Sequence, residues 1–206
     1  MKFVFDLGGV VFNWQPLALL RQTLPQRATD EASAKRLAGL IFQSFALGAD
    51  WADFDRGTVE AGSLAERIAP RAGLTPAEVL AVIDAIPAHL HAKADTVALM
   101  RRLGDAGHRL YYLSNMPRPY ALHLERTHRF FDAFAGGIFS CRVQLIKPEP
   151  AIFHAAALRF GAGPGELLLI DDVAHNISAA RAQGWQGLQF HDAAGCETAL
   201  RKSGLL

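Results

Sequence analysis

Five polar residues stand directly after apolar runs, in places where an unused charge is expensive. Asp6 ends the run Phe3-Val4-Phe5, Ser114-Asn115 end Leu110-Tyr111-Tyr112-Leu113, and Asp171-Asp172 end Leu167-Leu168-Leu169-Ile170. A carboxylate closing a buried strand costs free energy unless something is bound to it. Each residue also has a plain reading. Asp6 suits a turn or a helix N-cap, Ser114-Asn115 before Pro117 suits a cap, and Asp171-Asp172 could cap a helix near Asn176. Lys147, between Ile146 and Pro148, would ordinarily be a surface lysine. Taken together they are carboxylates, a hydroxyl, an amide and an ammonium that one fold could bring to one place, the makings of a reactive centre.

The elements that would position them are legible as strands and helices in alternation. The three apolar runs are nearly continuous, as expected for parallel strands covered on both faces. Weaker strands are predicted at 137–139 and 187–190. Helical patterns fall at 96–106, 151–160 and 176–183, the first stopped by Gly107 and the last followed by Gly184. The alternation predicts an α/β fold: a Rossmann-like parallel sheet flanked by helices. In such a sheet ligands bind beyond the carboxyl ends of the strands. That is where Asp6, Ser114, Asn115, Asp171 and Asp172 would gather.

One region breaks the alternation. Between residues 15 and 91 there are helical patterns (16–24, 31–47, 59–69 and 76–86) and no strand. Thr75-Pro76-Ala77-Glu78 reads as a capping box with proline at the first helical position. The expected organisation is a core of 1–14 and 92–206 with a small helical cap inserted at 15–91.

The bulk composition narrows the function classes. The chain has 206 residues, half of them hydrophobic, and a formal net charge of +1. Lys and Arg are scattered, so there is no electrostatic footprint for nucleic acid. Asp6 interrupts the first apolar run and no small-residue cleavage site follows, against a signal peptide. No run approaches the length of a membrane span. The two cysteines, Cys141 and Cys196, lack metal spacing and read as free thiols. A cytoplasmic protein with a small-molecule ligand is expected, with neither nucleic acid nor membrane as partner; oligomeric state is not readable.

FDLGGV (5–10), LSN (113–115), KPEP (147–150) and IDDVAHNISAARAQGW (170–185) resemble, in this order, the four motifs of the haloacid dehalogenase-like (HAD) hydrolase superfamily. The resemblance spans nearly the whole chain, and the helical segment corresponds to the family's small cap. The most similar branch contains bacterial phosphatases of small phosphorylated metabolites, including sugar phosphates. The resemblance implies that Asp6 attacks phosphorus to form an aspartyl-phosphate, which water hydrolyses. It implies Mg²⁺ as cofactor, held by Asp6, the carbonyl of Gly8 and the acidic pair, with Asp172 the first choice for direct ligation, Asp171 direct or through water, and Asn176 orienting the carboxylates. Lys147 would neutralise the phosphate, and Ser114 with the Asn115 backbone N–H would hydrogen-bond it.

Gly8 is the departure from the pattern. Phosphatases of the family commonly carry an aspartate two residues after the nucleophile, which protonates the leaving group. Its loss typically costs about 10²–10⁴ in rate. A leaving group that needs no proton, a replacement acid (His175 or a cap residue), or different chemistry would each account for the glycine. Haloacid dehalogenation by attack of Asp6 on carbon needs no proton and no metal, but Asp171 and Asp172 would repel its carboxylate substrate. A catalytically weak phosphate-binding regulatory protein is the third reading. In the cap, the stretch 48–57 is the candidate substrate-facing loop: Trp51 and Phe54 would pack on a ligand or in the core, and Arg56 would meet a substrate anion or form a structural ion pair. Phe130, Phe131 and Phe134 read as helix packing.

Overall fold

A computed structural model describes residues 1–163 and 165–206. Its centre is a five-stranded, wholly parallel sheet in the order β3-β2-β1-β4-β5. The strands are β1 (Lys2–Phe5), β2 (Arg109–Ser114), β3 (Phe134–Phe139), β4 (Leu167–Asp171) and β5 (Gln186–Gln189). Alternation along β1 explains why the run is apolar throughout. Phe3 and Phe5 enter one buried cluster, and Val4 enters a second on the other face with Tyr111, Leu113, Leu167 and Leu169. A strand with two buried faces has no position for a polar side chain until it ends.

The helices are α1 (Pro16–Thr23), α2 (Glu31–Phe42), α3 (Asp50–Arg56), α4 (Ala61–Ala72), α5 (Pro76–His89), α6 (Ala94–Asp105), α7 (Arg118–Thr127), α8 (Ser140–Val143), α9 (Pro150–Phe160), α10 (Ala174–Ala182) and α11 (Ala193–Lys202). Helices α1 to α5 form an all-helical insert between β1 and β2. The chain leaves and re-enters the sheet layer side by side: Asn13 N–H donates to the His91 carbonyl at 2.8 Å, and Lys93 N–H donates to the Val11 carbonyl at 2.8 Å. The Thr75–Glu78 capping box forms as the sequence predicts. Glu78 N–H donates to Thr75 Oγ1 at 3.2 Å, and Thr75 N–H donates to Glu78 Oε2 at 2.8 Å.

Two expectations are corrected. The pattern at 31–47 is not one helix. It stops at Phe42, and Gln43, Ser44 and Phe45 follow with φ of 48°, 52° and 53°. Non-glycine residues take this left-handed region only under constraint. Here the turn carries Phe45 back over Phe42 (ring centroids 5.6 Å apart) and towards Trp14 and Trp51 (6.0 and 6.4 Å). Conversely, the stretch expected as a loop is helix α3. Trp51, Ala52, Phe54 and Asp55 are its buried residues, at helical spacing, and Gly57 ends it with φ of 78°.

Helix α11 escaped the sequence reading; its N-cap is Asp192, which accepts from Gly195 N–H at 2.7 Å. Phe134 begins β3, while Phe130 and Phe131 lie in a 3₁₀ turn and pack on Phe12. Both cysteines are buried and free. Among the described residues no helix is long and apolar enough to cross a membrane.

Candidate active site

The sheet register brings the polar strand ends together. Phe5 pairs with Tyr112 on one side and Ile170 on the other, so Asp6 emerges beside Asp171. Asp6 N–H donates to the Ile170 carbonyl at 2.9 Å, which fixes the first residue beyond the strand. Its own Oδ1 accepts from Leu7 N–H at 2.7 Å. Strand β1 is central and its neighbours β2 and β4 lie on opposite sides, so the crevice opens at the topological switch point.

Lys147 is the hub. Its side chain is 1% exposed, and Nζ lies 3.0 Å from Asp6 Oδ1 and 2.6 Å from Asp171 Oδ2. The lysine is delivered by Asn115, whose amide makes both bonds to its backbone. Lys147 N–H donates to Asn115 Oδ1 at 2.8 Å, and Asn115 Nδ2 donates to the Lys147 carbonyl at 2.8 Å. The second motif therefore clamps the third.

Asp171 is fully buried and satisfied. It accepts from Lys147, from Asn176 Nδ2 at 3.1 Å and from Val173 N–H at 2.8 Å. Asn176 thus orients a carboxylate, and that carboxylate is Asp171. Asp172 is exposed; its backbone carbonyl accepts from Gln189, and its carboxylate reaches the cavity. Ser114 is buried at the end of β2, and its hydroxyl makes no hydrogen bond among the described residues.

One oxygen each from Asp6, Asp171 and Asp172 lie within 4.8 Å of one another. Three hard oxygen donors at this separation, one of them on a side chain with no side-chain partner among the described residues, fit a divalent cation such as Mg²⁺. The electrostatics favour such a charge. The Asp6 carboxyl is raised to about 7, chiefly by burial; the Lys147 charge opposes the rise, and Asp171 and Asp172 add to it. Burial alone would lower the Lys147 ammonium, but Asp171 and Asp6 outweigh it and hold it above its ordinary value. Asp172, exposed as a residue, has its carboxyl raised by partial desolvation at the cavity and then by the charge of Asp171.

A cavity of about 570 Å³ opens in front of Asp6, Lys147 and Asp172. Its far walls, from the helical insert and the Trp14 segment leading into it, are mostly apolar (Trp14, Phe45, Leu47, Trp51, Ile86 and Leu90), with Ser44 and Asp55 as polar members. Tyr120 of α7 also faces it, with its hydroxyl donating to the Ile83 carbonyl at 2.9 Å.

Trp51 both lines the cavity and packs in the core, while Phe54 is buried with its ring edge-on to Tyr120. Arg56 does not line the cavity. Its guanidinium grips Glu149 at 2.6 and 2.9 Å and donates to the Gln144 carbonyl at 3.1 Å, the structural ion pair weighed in the sequence. His175 lies at the exposed rim.

Asp55 was missed. It lines the cavity from α3, is 6% exposed, and its carboxyl has no hydrogen-bond partner among the described residues. Burial, and then the charge of Asp6, push this carboxyl well above the usual range. The available signal was its place in the flagged stretch, one residue before Arg56, at the buried phase of a short helix.

The sequence pattern of the haloacid dehalogenase-like hydrolases matches residues 3–184. A sesquiterpene phosphatase of Aspergillus oryzae is 26% identical over 189 residues, covering 92% of this chain and 89% of that protein. Among solved structures, a HAD family enzyme of Bacteroides thetaiotaomicron in complex with magnesium and inorganic phosphate superposes with a TM-score of 0.69 at 21% identity, covering 92% of this chain and 93% of that one. The L-2-haloacid dehalogenase of Xanthobacter autotrophicus has the same TM-score at 18% identity, with 100% and 84% covered. At these identities the two structures speak to the fold.

Proposed function

This chain belongs to the haloacid dehalogenase-like hydrolase family, and from that premise we propose that it is a Mg²⁺-dependent phosphatase of a small phosphate monoester with an apolar leaving group. The observation that carries the proposal is the buried Lys147 ammonium bridging Asp6 and Asp171 within the carboxylate trio. A site built for a metal-free attack on a haloacid gains nothing from the acidic pair, which would repel the substrate carboxylate. A phosphate dianion approaching Asp6 faces the same repulsion, and the ammonium and a divalent cation relieve it.

Asp6, Asp171, Asp172 and the Gly8 carbonyl would hold the cation. When bound it neutralises charge on both the carboxylates and the phosphate. Asp6 Oδ2 is free of Leu7 N–H and attacks phosphorus in line with the leaving oxygen. Lys147 holds the other carboxylate oxygen and faces the phosphoryl oxygens. The free Ser114 hydroxyl and the Asn115 backbone N–H are the proposed further donors. Water then cleaves the aspartyl-phosphate. Helices α1 to α5 act as a cap that excludes water and selects the leaving group.

The cap's walls support an apolar leaving group over a sugar. On the cap side only Ser44, Asp55 and the Trp N–H groups could meet a sugar's hydroxyls, whereas an aliphatic chain buries its surface against Trp14, Phe45, Leu47, Trp51, Ile86 and Leu90. A sesquiterpene phosphatase among the relatives agrees with this.

The test is a panel of phosphate monoesters, aliphatic and sugar, with Mg²⁺ on wild type and Asp6→Asn. We expect hydrolysis of aliphatic esters that needs Mg²⁺ and is lost in the variant. Halide release from 2-haloacids without metal, or undiminished ester hydrolysis by Asp6→Asn, would overturn the reading.

A further inference from the structure

An alkoxide is a poor leaving group, so cleaving an aliphatic phosphate ester requires a proton at the departing oxygen. The residue two positions after Asp6 is Gly8 and supplies none. The polar groups around the cavity are mostly committed. Lys147 holds two carboxylates, Asn115 spends its amide on the Lys147 backbone, and Asn176 serves Asp171. Asp172 belongs to the cation's donor set.

Asp55 is uncommitted. It is buried on the cap side of the cavity that Asp6 enters from the sheet, with no partner for its carboxyl among the described residues. Its position is fixed from three sides. Its backbone carbonyl accepts from the buried Ser140 hydroxyl, which also receives Met116 N–H at 2.8 Å. Arg56, the next residue, is gripped by Glu149. Gly57 lies so close to Cys141 that an added Cβ would stand 2.9 Å from its carbonyl oxygen. The end of α3 is therefore clamped to the core beneath the site, and the carboxyl is held where it is rather than carried on a mobile loop.

We propose that Asp55 is the general acid–base of this site, supplied by the cap in place of the side chain absent at Gly8. The proposal rests on the phosphatase reading above. As an Asp6 oxygen forms its bond to phosphorus, the bond from phosphorus to the leaving oxygen breaks, and the Asp55 carboxyl gives that oxygen its proton, so an alcohol departs. The resulting Asp55 carboxylate then takes a proton from the water that attacks the aspartyl-phosphate. The bond from Asp6 to phosphorus breaks, inorganic phosphate leaves, and both aspartates return to their starting states. A partnerless buried carboxyl favours the neutral form this cycle begins with.

The experiment compares an alkyl phosphate with p-nitrophenyl phosphate, whose leaving group needs no proton, in Mg²⁺ with wild type, Asp55→Asn and Asp55→Asn/Gly8→Asp. Asp55→Asn should lose about 10²–10⁴-fold in kcat/KM on the alkyl ester and less than about tenfold on the aryl ester. On the aryl ester its phosphorylated form should accumulate, visible by intact-protein mass, because the water step has lost its base. An added Cβ at Gly8 meets nothing within 4 Å, so a side chain can start there without a clash, and the double variant should regain alkyl hydrolysis. Equal losses on both esters, no loss on either, or no phosphorylated form would overturn the assignment. If Asp55→Asn does not fold, the comparison passes to Asp55→Ser, which removes the acid in a smaller side chain, with the same outcomes. Failure of wild type to hydrolyse either ester would instead strike the phosphatase reading itself.

Discussion

The carboxylate of Asp172 lies directly over the α-carbon of Gly9, so close that a Cβ on Gly9 would stand 2.2 Å from Oδ2. Gly9 also has φ of 74°, and its carbonyl accepts from Lys93 Nζ at 2.7 Å. Of the two adjacent glycines, this is the one the backbone requires; Gly8 has open space around it. Gly9→Ala should cost about 1–2 kcal/mol from the left-handed conformation alone. It should also displace Asp172 and lower kcat/KM by about 10². Melting and steady-state kinetics check this; an unimpaired Gly9→Ala enzyme would show that Asp172 need not sit there.

Three carboxylates gathered around one lysine repel one another, and a divalent cation relieves that repulsion. Mg²⁺ should therefore raise the melting temperature, by the equivalent of about 2.7 kcal/mol at a hundredfold excess over Kd. Asp172→Asn removes the one exposed carboxylate of the trio and should shrink the shift. The effect is read without substrate by differential scanning fluorimetry with and without Mg²⁺. A shift unchanged in the variant would remove Asp172 from the cation site.

The parts of the site legible in the sequence were those at strand ends. There an apolar run stops on a polar residue, and parallel pairing does the rest: Asp6, Ser114 and Asp171 need only the sheet register to meet. Lys147 could be flagged but not placed, because its position depends on the Asn115 amide gripping its backbone, a contact between residues 115 and 147 that no local pattern encodes. Asp55 was less visible still. A carboxylate in a helix normally reads as a solvated face, and its burial follows from how α3 docks on the core through Ser140 and Arg56. The same long-range packing converted an expected loop into a helix and broke the pattern at 31–47, where aromatic stacking of Phe45 overrode helical continuation.

Glu78 gives a pH dependence remote from the site. Its hydrogen bond from Arg27 and then the Thr75 N–H hold its carboxyl down to about 2, against an ordinary value of 4.5. The folded value is the lower one, so its contribution to stability is present above 4.5 and lost as pH falls towards 2. Glu78→Gln should melt below wild type at neutral pH, and the gap should close as pH falls from 4.5 to 2. A gap that stays constant across that range would assign the loss to packing rather than charge.

Phe45 tests which leaving group the cap accepts. The ring is 40% exposed, lines the cavity, and is held by its stacking on Phe42 in a backbone with φ of 53°. An aliphatic chain in the cavity would cover much of that remaining surface, and full burial of such a side chain is worth about 1.5–3 kcal/mol. Phe45→Ala should therefore raise KM for an aliphatic phosphate about tenfold, equivalent to about 1.4 kcal/mol. Because the ring packs with Trp14, Phe42 and Trp51 on the apolar wall, kcat should hold, and so should inhibition by inorganic phosphate, which would fill only the polar end of the cavity. A short-chain phosphate too small to reach the ring should show no change in KM. If KM rises equally for the short and the long ester, the effect comes from disturbing the site through the Trp14–Trp51 cluster, and the apolar wall is not what reads the substrate.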